Sequence, residues 1–178
     1  ALSSGELAPL NRLGWHVASA HCLLSFARPD LALTQFANTP CALEGDVLAV
    51  PVLEAAFTQI GARCFTLSAE HKLLYHAGAV FATNFLPVLQ DLAEQLWQHS
   101  GMPPELVLQL RERLLTNAVN NIVALGPQAA LTGPAARGDQ ALVATQGLAV
   151  SRWNCDAGAA YQALSLLAGK MATRLPVS

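Results

Sequence analysis

The sequence predicts a small α/β segment followed by an all-helical region. Two observations carry this. Before about residue 68, short apolar runs alternate with turn residues. After it, apolar residues recur at helical spacing almost to the end. Composition adds that a core is affordable: of 178 residues, 53% are hydrophobic and only 12% charged, which suits one domain or one and a half.

In order, residues 15–20 and 40–43 read as strands. Residues 48–60 read as a helix, with Leu48, Val52, Leu53, Ala56 and Ile60 on one face and Gly61 to end it. Residues 63–67 read as a further strand. Ser68 is placed to cap a helix over about 69–99, with a kink at Pro87. Gly101 stops it. Pro103 and Pro104 open the next, which runs to Leu125 before Gly126-Pro127, and a shorter helix follows from Gln128 to the break at Gly133-Pro134. Asp139 is expected to cap a helix of about ten residues, and Asp156 a last one reaching Ala168. Residues 170–178 read as a loose tail. The expected domains are 1–68 and 69–178.

Net charge is −2, and only two lysines stand among ten basic residues. Neither nucleic acid nor an anionic membrane has an electrostatic basis for binding. The longest apolar stretch, 73–90, is interrupted by His76, Asn84 and Pro87, so no membrane span is expected. Residues 1–5 lack the basic and apolar regions of a signal peptide. Cys22, Cys41, Cys64 and Cys155 are widely spaced and form no CxxC, so zinc or dithiol redox chemistry has little support in the sequence. They read as four reduced, mostly buried thiols in a cytoplasmic protein. No GxGxxG or GxxxxGK[ST] occurs. The α/β segment is therefore either a piece of a larger sheet domain or a small fold that binds no nucleotide.

The segment from Lys72 to Asn84 is the most informative. A helix here is apolar nearly all round, which predicts burial, yet it carries Lys72, His76, Thr83 and Asn84. A lysine is almost never fully buried unless paired. At about 100° per residue, Lys72, Thr83 and His76 fall within about 40° of one another, and Asn84 a further 80° from His76. At about 1.5 Å per residue, Lys72 and His76 are roughly 6 Å apart and Asn84 is roughly 18 Å from Lys72. Lys72 and His76 thus suit acid–base work on one small group. The competing reading has Lys72 snorkelling, His76 hydrogen-bonded in the core and Asn84 bonded to another helix.

Three further groups stand out. Asn117, Asn120 and Asn121 make one polar stripe, facing a cleft or solvent. Residues 131–139 form a tight Gly- and Pro-fixed loop, in which Thr132 sits and Arg137 offers a fork for a carboxylate or phosphate. His21 and Ser25 follow a strand, where α/β sheets place ligands. Cys22 adjoins His21 but points to the opposite face, so the two are badly placed to act as a nucleophile pair.

Together, Ser19-Ala20-His21 with Ser25-Phe26, Glu44-Gly45-Asp46, Lys72-x-x-Tyr75-His76-Ala77 with Asn84, and Asn121 leading to Leu125-Gly126-Pro127 and Ala130–Pro134 with Arg137-Gly138-Asp139 resemble a known bacterial family. Its members join an N-terminal Rossmann-like NAD(P)-binding domain to a helical C-terminal domain of undefined function. That helical domain is similar to those of 6-phosphogluconate dehydrogenase, ketopantoate reductase and pyrroline-5-carboxylate reductase. The resemblance runs over about residues 1–168. It implies an α/β remnant, the end of a Rossmann-like domain, followed by an all-α 6-phosphogluconate-dehydrogenase-like domain that forms a homodimer. The glycine-rich turn would lie upstream of Ala1. Two departures stand out: Cys22 occupies a usual proline position, and His76 stands where related hydroxyacid dehydrogenases have an asparagine four residues after their catalytic lysine.

The expectation is a piece of an oxidoreductase using NADP or NAD on a small polar carbonyl, hydroxy or imine substrate. Lys72 and His76 are the expected catalytic residues. His21, Ser25, Asn84, Asn121, Thr132 and Arg137 are expected to bind substrate. The alternative is a non-catalytic dimerisation or ligand-sensing module.

Overall fold

A computed structural model describes residues 2–25 and 28–174. Phe26 of the first motif and residues 175–178 of the expected tail lie outside the described residues. A short 3₁₀ turn (Ser4–Leu7) and α1 (Ala8–Asn11) lead into β1 (Ala18–Cys22), α2 (Pro29–Gln35), β2 (Pro40–Gly45), α3 (Val50–Gln59) and β3 (Arg63–Thr66). A 3₁₀ turn (Ala69–His71) then opens a helical run of α4 (Lys72–Ala79), a π-helical turn (Val80–Asn84) and α5 (Phe85–His99). Helices α6 (Pro104–Ala130), α7 (Gln140–Trp153) and α8 (Cys155–Ala172) complete the order.

The contacts divide the chain into two units, Ala1–Leu89 and Gln90–Ser178. The first is built on β2, the middle strand of three, which pairs antiparallel with β1 and parallel with β3. A parallel pair needs a crossover, and α3 supplies it. Alternation along the strands sorts their side chains. Ala20, Cys22, Cys41, Leu43 and Cys64 meet Val50, Leu53 and Phe57 of α3 in the core. Ser19, His21 and Glu44 project from the other face, toward α4. Gly45 (φ 134°) lets β1 approach: a Cβ there would lie 2.5 Å from the Ala18 Cα.

In the second unit, Arg111 of α6 pairs with Glu94 of α5 at 3.0 Å. Helices α7 and α8 touch at Gly158, where a Cβ would run into Ser151 Oγ and stand 2.6 Å from the Ser151 Cα. Tyr161 of α8 donates to Gln146 Oε1 of α7 at 2.7 Å.

Several expectations need correction. The first strand starts at Ala18, because the Trp15 amide is bonded to the Leu10 carbonyl in the turn that ends α1. Helix α2 was not anticipated. Ser68 does not cap a backbone amide; its hydroxyl meets His71 Nδ1 at 2.7 Å. The cap of α8 is Asn154, whose Oδ1 accepts from the Ala157 amide at 2.9 Å, and not Asp156. Asp139 does cap α7, accepting from Leu142 N at 3.0 Å, but that helix has 14 residues. The break at Gly126-Pro127 is present as a kink within α6, with Gly126 at φ 77°. Of the thiols, all four are free, but only Cys41 is buried; Cys22 and Cys64 are half-buried and Cys155 is exposed. The helical run from Lys72 is not buried all round either: Leu73, Leu74 and Phe81 are exposed.

Candidate functional site

Helix α4 lies along β1 with matched spacing. Residues i and i+4 on a helix are about 6 Å apart along its axis, and residues i and i+2 on a strand about 6.6 Å. Lys72 therefore meets Ser19, and His76 meets His21, one register step further along.

The Lys72 end of this match is closed. Its Nζ donates to Ser19 Oγ at 2.5 Å and to Glu44 Oε1 at 2.9 Å. Glu44 also accepts from the Ser4 amide and hydroxyl, each at 2.7 Å. The Lys72 and Glu44 side chains are 1% and 3% exposed, so no solute reaches the ammonium. Burial pushes the Glu44 carboxyl up, but the hydrogen bonds from Lys72 and Ser4 outweigh it and hold the group below the ordinary glutamate range.

The His76 end is open. His21 and His76 stack edge to face with ring centroids 4.9 Å apart. Both Nδ1 atoms are buried and neither has a hydrogen-bond partner. Such groups cost free energy unless something satisfies them. Tyr75 also packs edge to face on His21, centroids 5.7 Å apart, and its hydroxyl donates to the His21 carbonyl at 3.2 Å. Burial first, then neighbouring His76 and Lys72, holds the His21 imidazole below the ordinary histidine range, favouring its neutral form.

A cavity of about 600 Å³ opens beside the two rings, lined also by Ser25, Val80, Thr83 and Asn84, and by no carboxylate among the described residues. The π turn shapes this wall. One extra residue in a helix rotates every later residue by about 100°. Asn84, some 80° from His76 on an ideal helix, is thereby returned to within about 20° of it. The Thr83 hydroxyl is shared between the Ala79 carbonyl (2.9 Å) and Asn84 Oδ1 (2.8 Å). Pro87 has no N–H for the carbonyl of Thr83, and the widened turn just before it absorbs that misfit.

The expected residues thus separate. His21, Ser25, His76 and Asn84 share one cavity. Lys72, expected to act with His76, is committed to Glu44 instead. Asn121, Thr132 and Arg137 belong to the second unit and are exposed there. A larger cavity in that unit, about 700 Å³ beside Gly147, Gln162 and Lys170, holds no orphaned buried nitrogen or oxygen among the described residues. Sequence reasoning missed Glu44 as the partner of Lys72. Its signal was an acid directly after the apolar run Cys41-Ala42-Leu43, at the buried end of a strand. Among the described residues no cluster of three or more metal-ligating side chains occurs, and no helix is long and apolar enough to cross a membrane.

A family model described as "Domain of unknown function (DUF2520)" matches residues 39–168. No curated protein matches the sequence. Among solved structures, protein TM1727 from Thermotoga maritima is similar over 96% of this chain and 65% of its own, with 26% identity and a TM-score of 0.73. A protein from Bacteroides fragilis, described as "putative NADP oxidoreductase BF3122", is similar over 76% of this chain and 51% of its own, with 23% identity and a TM-score of 0.59. The chain spans less than two thirds of the length of either structure.

Proposed function

For this chain, which belongs to the DUF2520 family, we propose a role as the substrate-side part of an NAD(P)-dependent oxidoreductase acting on a small polar carbonyl, hydroxy or imine compound. The carrying observation is the pair of buried, unpartnered Nδ1 atoms of His21 and His76 beside an open cavity. The fold likeness to a protein named as an NADP oxidoreductase supports the reaction class.

His76 holds the proton that moves to or from the reacting oxygen or nitrogen, and neutral His21 steadies it across the ring contact. Asn84 and Ser25 orient the polar end of the substrate. Lys72 changes role. It is a positioning residue whose grip on Glu44 and Ser19 fixes α4, and so His76, against β1. Asn121, Thr132 and Arg137 remain proposed substrate contacts. The sequence has no glycine-rich phosphate turn, so no residue of this chain is assigned to the nucleotide, and NADP or NAD is proposed for the longer protein.

The partner is a second copy. Helix α6 buries only Val107, while Leu114, Ile122, Val123 and Leu125 are 47%, 47%, 81% and 60% exposed. Exposed apolar surface of this kind supports such an interface. The setting is cytoplasmic, in keeping with four free thiols.

Calorimetric titration of the full-length protein with NADPH and with NADH tests the reading. Micromolar binding of either, followed by substrate-dependent oxidation of the nicotinamide, is expected. Absence of any nicotinamide binding overturns it.

A further inference from the structure

Three cysteines stand in a row across the sheet. Cys22 pairs with Cys41 in the β1–β2 register, and Cys41 with Cys64 in the β2–β3 register. Partners in register point to one face. The hydrogen bonds fix which kind of pair each is. Leu23 N donates to the Pro40 carbonyl at 2.9 Å and Asp46 N to the Val17 carbonyl at 2.8 Å. The hydrogen-bonded pairs of β1 are therefore the odd-numbered residues. Cys22 and Cys41 fall between them, at a non-hydrogen-bonded position, where Cα atoms lie about 4.5 Å apart and side chains are closest. That spacing is within the range a disulfide spans, about 4.4–6.8 Å. Cys64 also touches Cys41, but its thiol is held to α3 as well: it accepts from Thr58 Oγ1 at 3.7 Å and donates to the Glu54 carbonyl at 3.9 Å.

We propose that Cys22 and Cys41 are a thiol-modification site, joined as a reversible cross-strand disulfide by a hydroperoxide. Cys22 reacts first, being half-buried while Cys41 is fully enclosed. Its thiolate attacks the peroxide oxygen, the O–O bond breaks, and a sulfenic acid and hydroxide form. The Cys41 sulfur then attacks the Cys22 sulfur, the S–O bond breaks, and the hydroxyl leaves as water with the Cys41 proton. Two thiols are oxidised by two electrons, and one hydrogen peroxide becomes two waters. Burial pushes the Cys41 thiol up to about 12, so it enters the second step as the protonated thiol. The bridge would tie down Leu23–Ser25, the part of the cavity wall that follows Cys22 directly, and this holds whatever reaction the cavity serves.

The test uses the whole chain with Cys155→Ser, which leaves three thiols. After hydrogen peroxide treatment, unfolding and alkylation, the reactive thiols should fall from three to one. Chymotryptic mapping, which cuts after Phe36, should link the Cys22 and Cys41 peptides, and dithiothreitol should restore all three. Cys64→Ser should keep the link and Cys22→Ser abolish it. Three thiols after oxidation, a Cys41–Cys64 link, or Cys22 found only as sulfinic or sulfonic acid would each overturn the proposal.

Discussion

Lys72 Nζ lies 2.9 Å from Glu44 Oε1, and the two charges are almost wholly enclosed. Removing one partner of such a pair leaves the other buried and uncompensated, at a cost of about 3–5 kcal/mol. Lys72→Met should therefore lower stability by about that amount in denaturant unfolding, while Lys72→Met with Glu44→Leu should recover most of it. An unchanged midpoint for the single variant would show that the ion pair contributes nothing.

The same pair sets an acid limit. The folded Glu44 pKa lies below its unfolded value, so its contribution is complete above the unfolded value, about 4.3, and is lost as pH falls through the folded one. Glu44→Gln should flatten the stability profile below about pH 4.3. A native profile already flat there would contradict the assignment.

His21 acts at higher pH. Its folded pKa is lowered, so between its unfolded value of about 6.5 and its folded value the unfolded chain binds the extra proton. Stability should fall as pH drops through that window, and His21→Asn should remove this part of the slope. Paired melts of native and variant chains across the window decide it.

His76→Ala deletes the proposed proton-transfer group but removes no hydrogen bond from its orphaned Nδ1. In the full-length protein it should reduce turnover by 10²-fold or more, in the range about 10²–10⁴ given by general acid–base catalysis, with unfolding shifted little. Equal losses of turnover and stability would instead mark His76 as structural.

Two glycines on the α7–α8 contact should respond oppositely. Gly158→Ala drives a methyl into Ser151 and should cost about 1–3 kcal/mol. Gly147→Ala meets only Tyr161 and Gln162 side chains at 3.6 Å and beyond, and should gain up to about 1 kcal/mol of helix propensity. Thermal unfolding of both variants tests the contrast.

The three strands and α3 were legible in the sequence, because turn residues and apolar runs are local signals, while α2 between β1 and β2 was not. Four of the residues it singles out, His21, Ser25, His76 and Asn84, line one cavity in the fold. It could not show the partner of Lys72, because helical spacing relates residues only on their own element. Glu44 is 28 residues away and reaches Lys72 through strand pairing, which no local pattern records. The nearness of Asn84 to His76 was hidden for a related reason: the angle was counted on an ideal helix. The Cys22–Cys41–Cys64 row depends on the register of three strands and was likewise invisible.

The π turn at Val80–Asn84 also bears on how this chain is compared with its relatives. It adds one residue to a helix whose first half is pinned to the sheet by Lys72. A relative with a regular helix here would be one residue shorter between Ala79 and Phe85. An ungapped alignment would then set Asn84 opposite a residue facing about 100° away. The asparagine would look unmatched while its spatial equivalent stood one column earlier. Relatives of this chain are therefore best aligned with a permitted single-residue gap at that turn, placed by the cavity wall instead of by sequence identity.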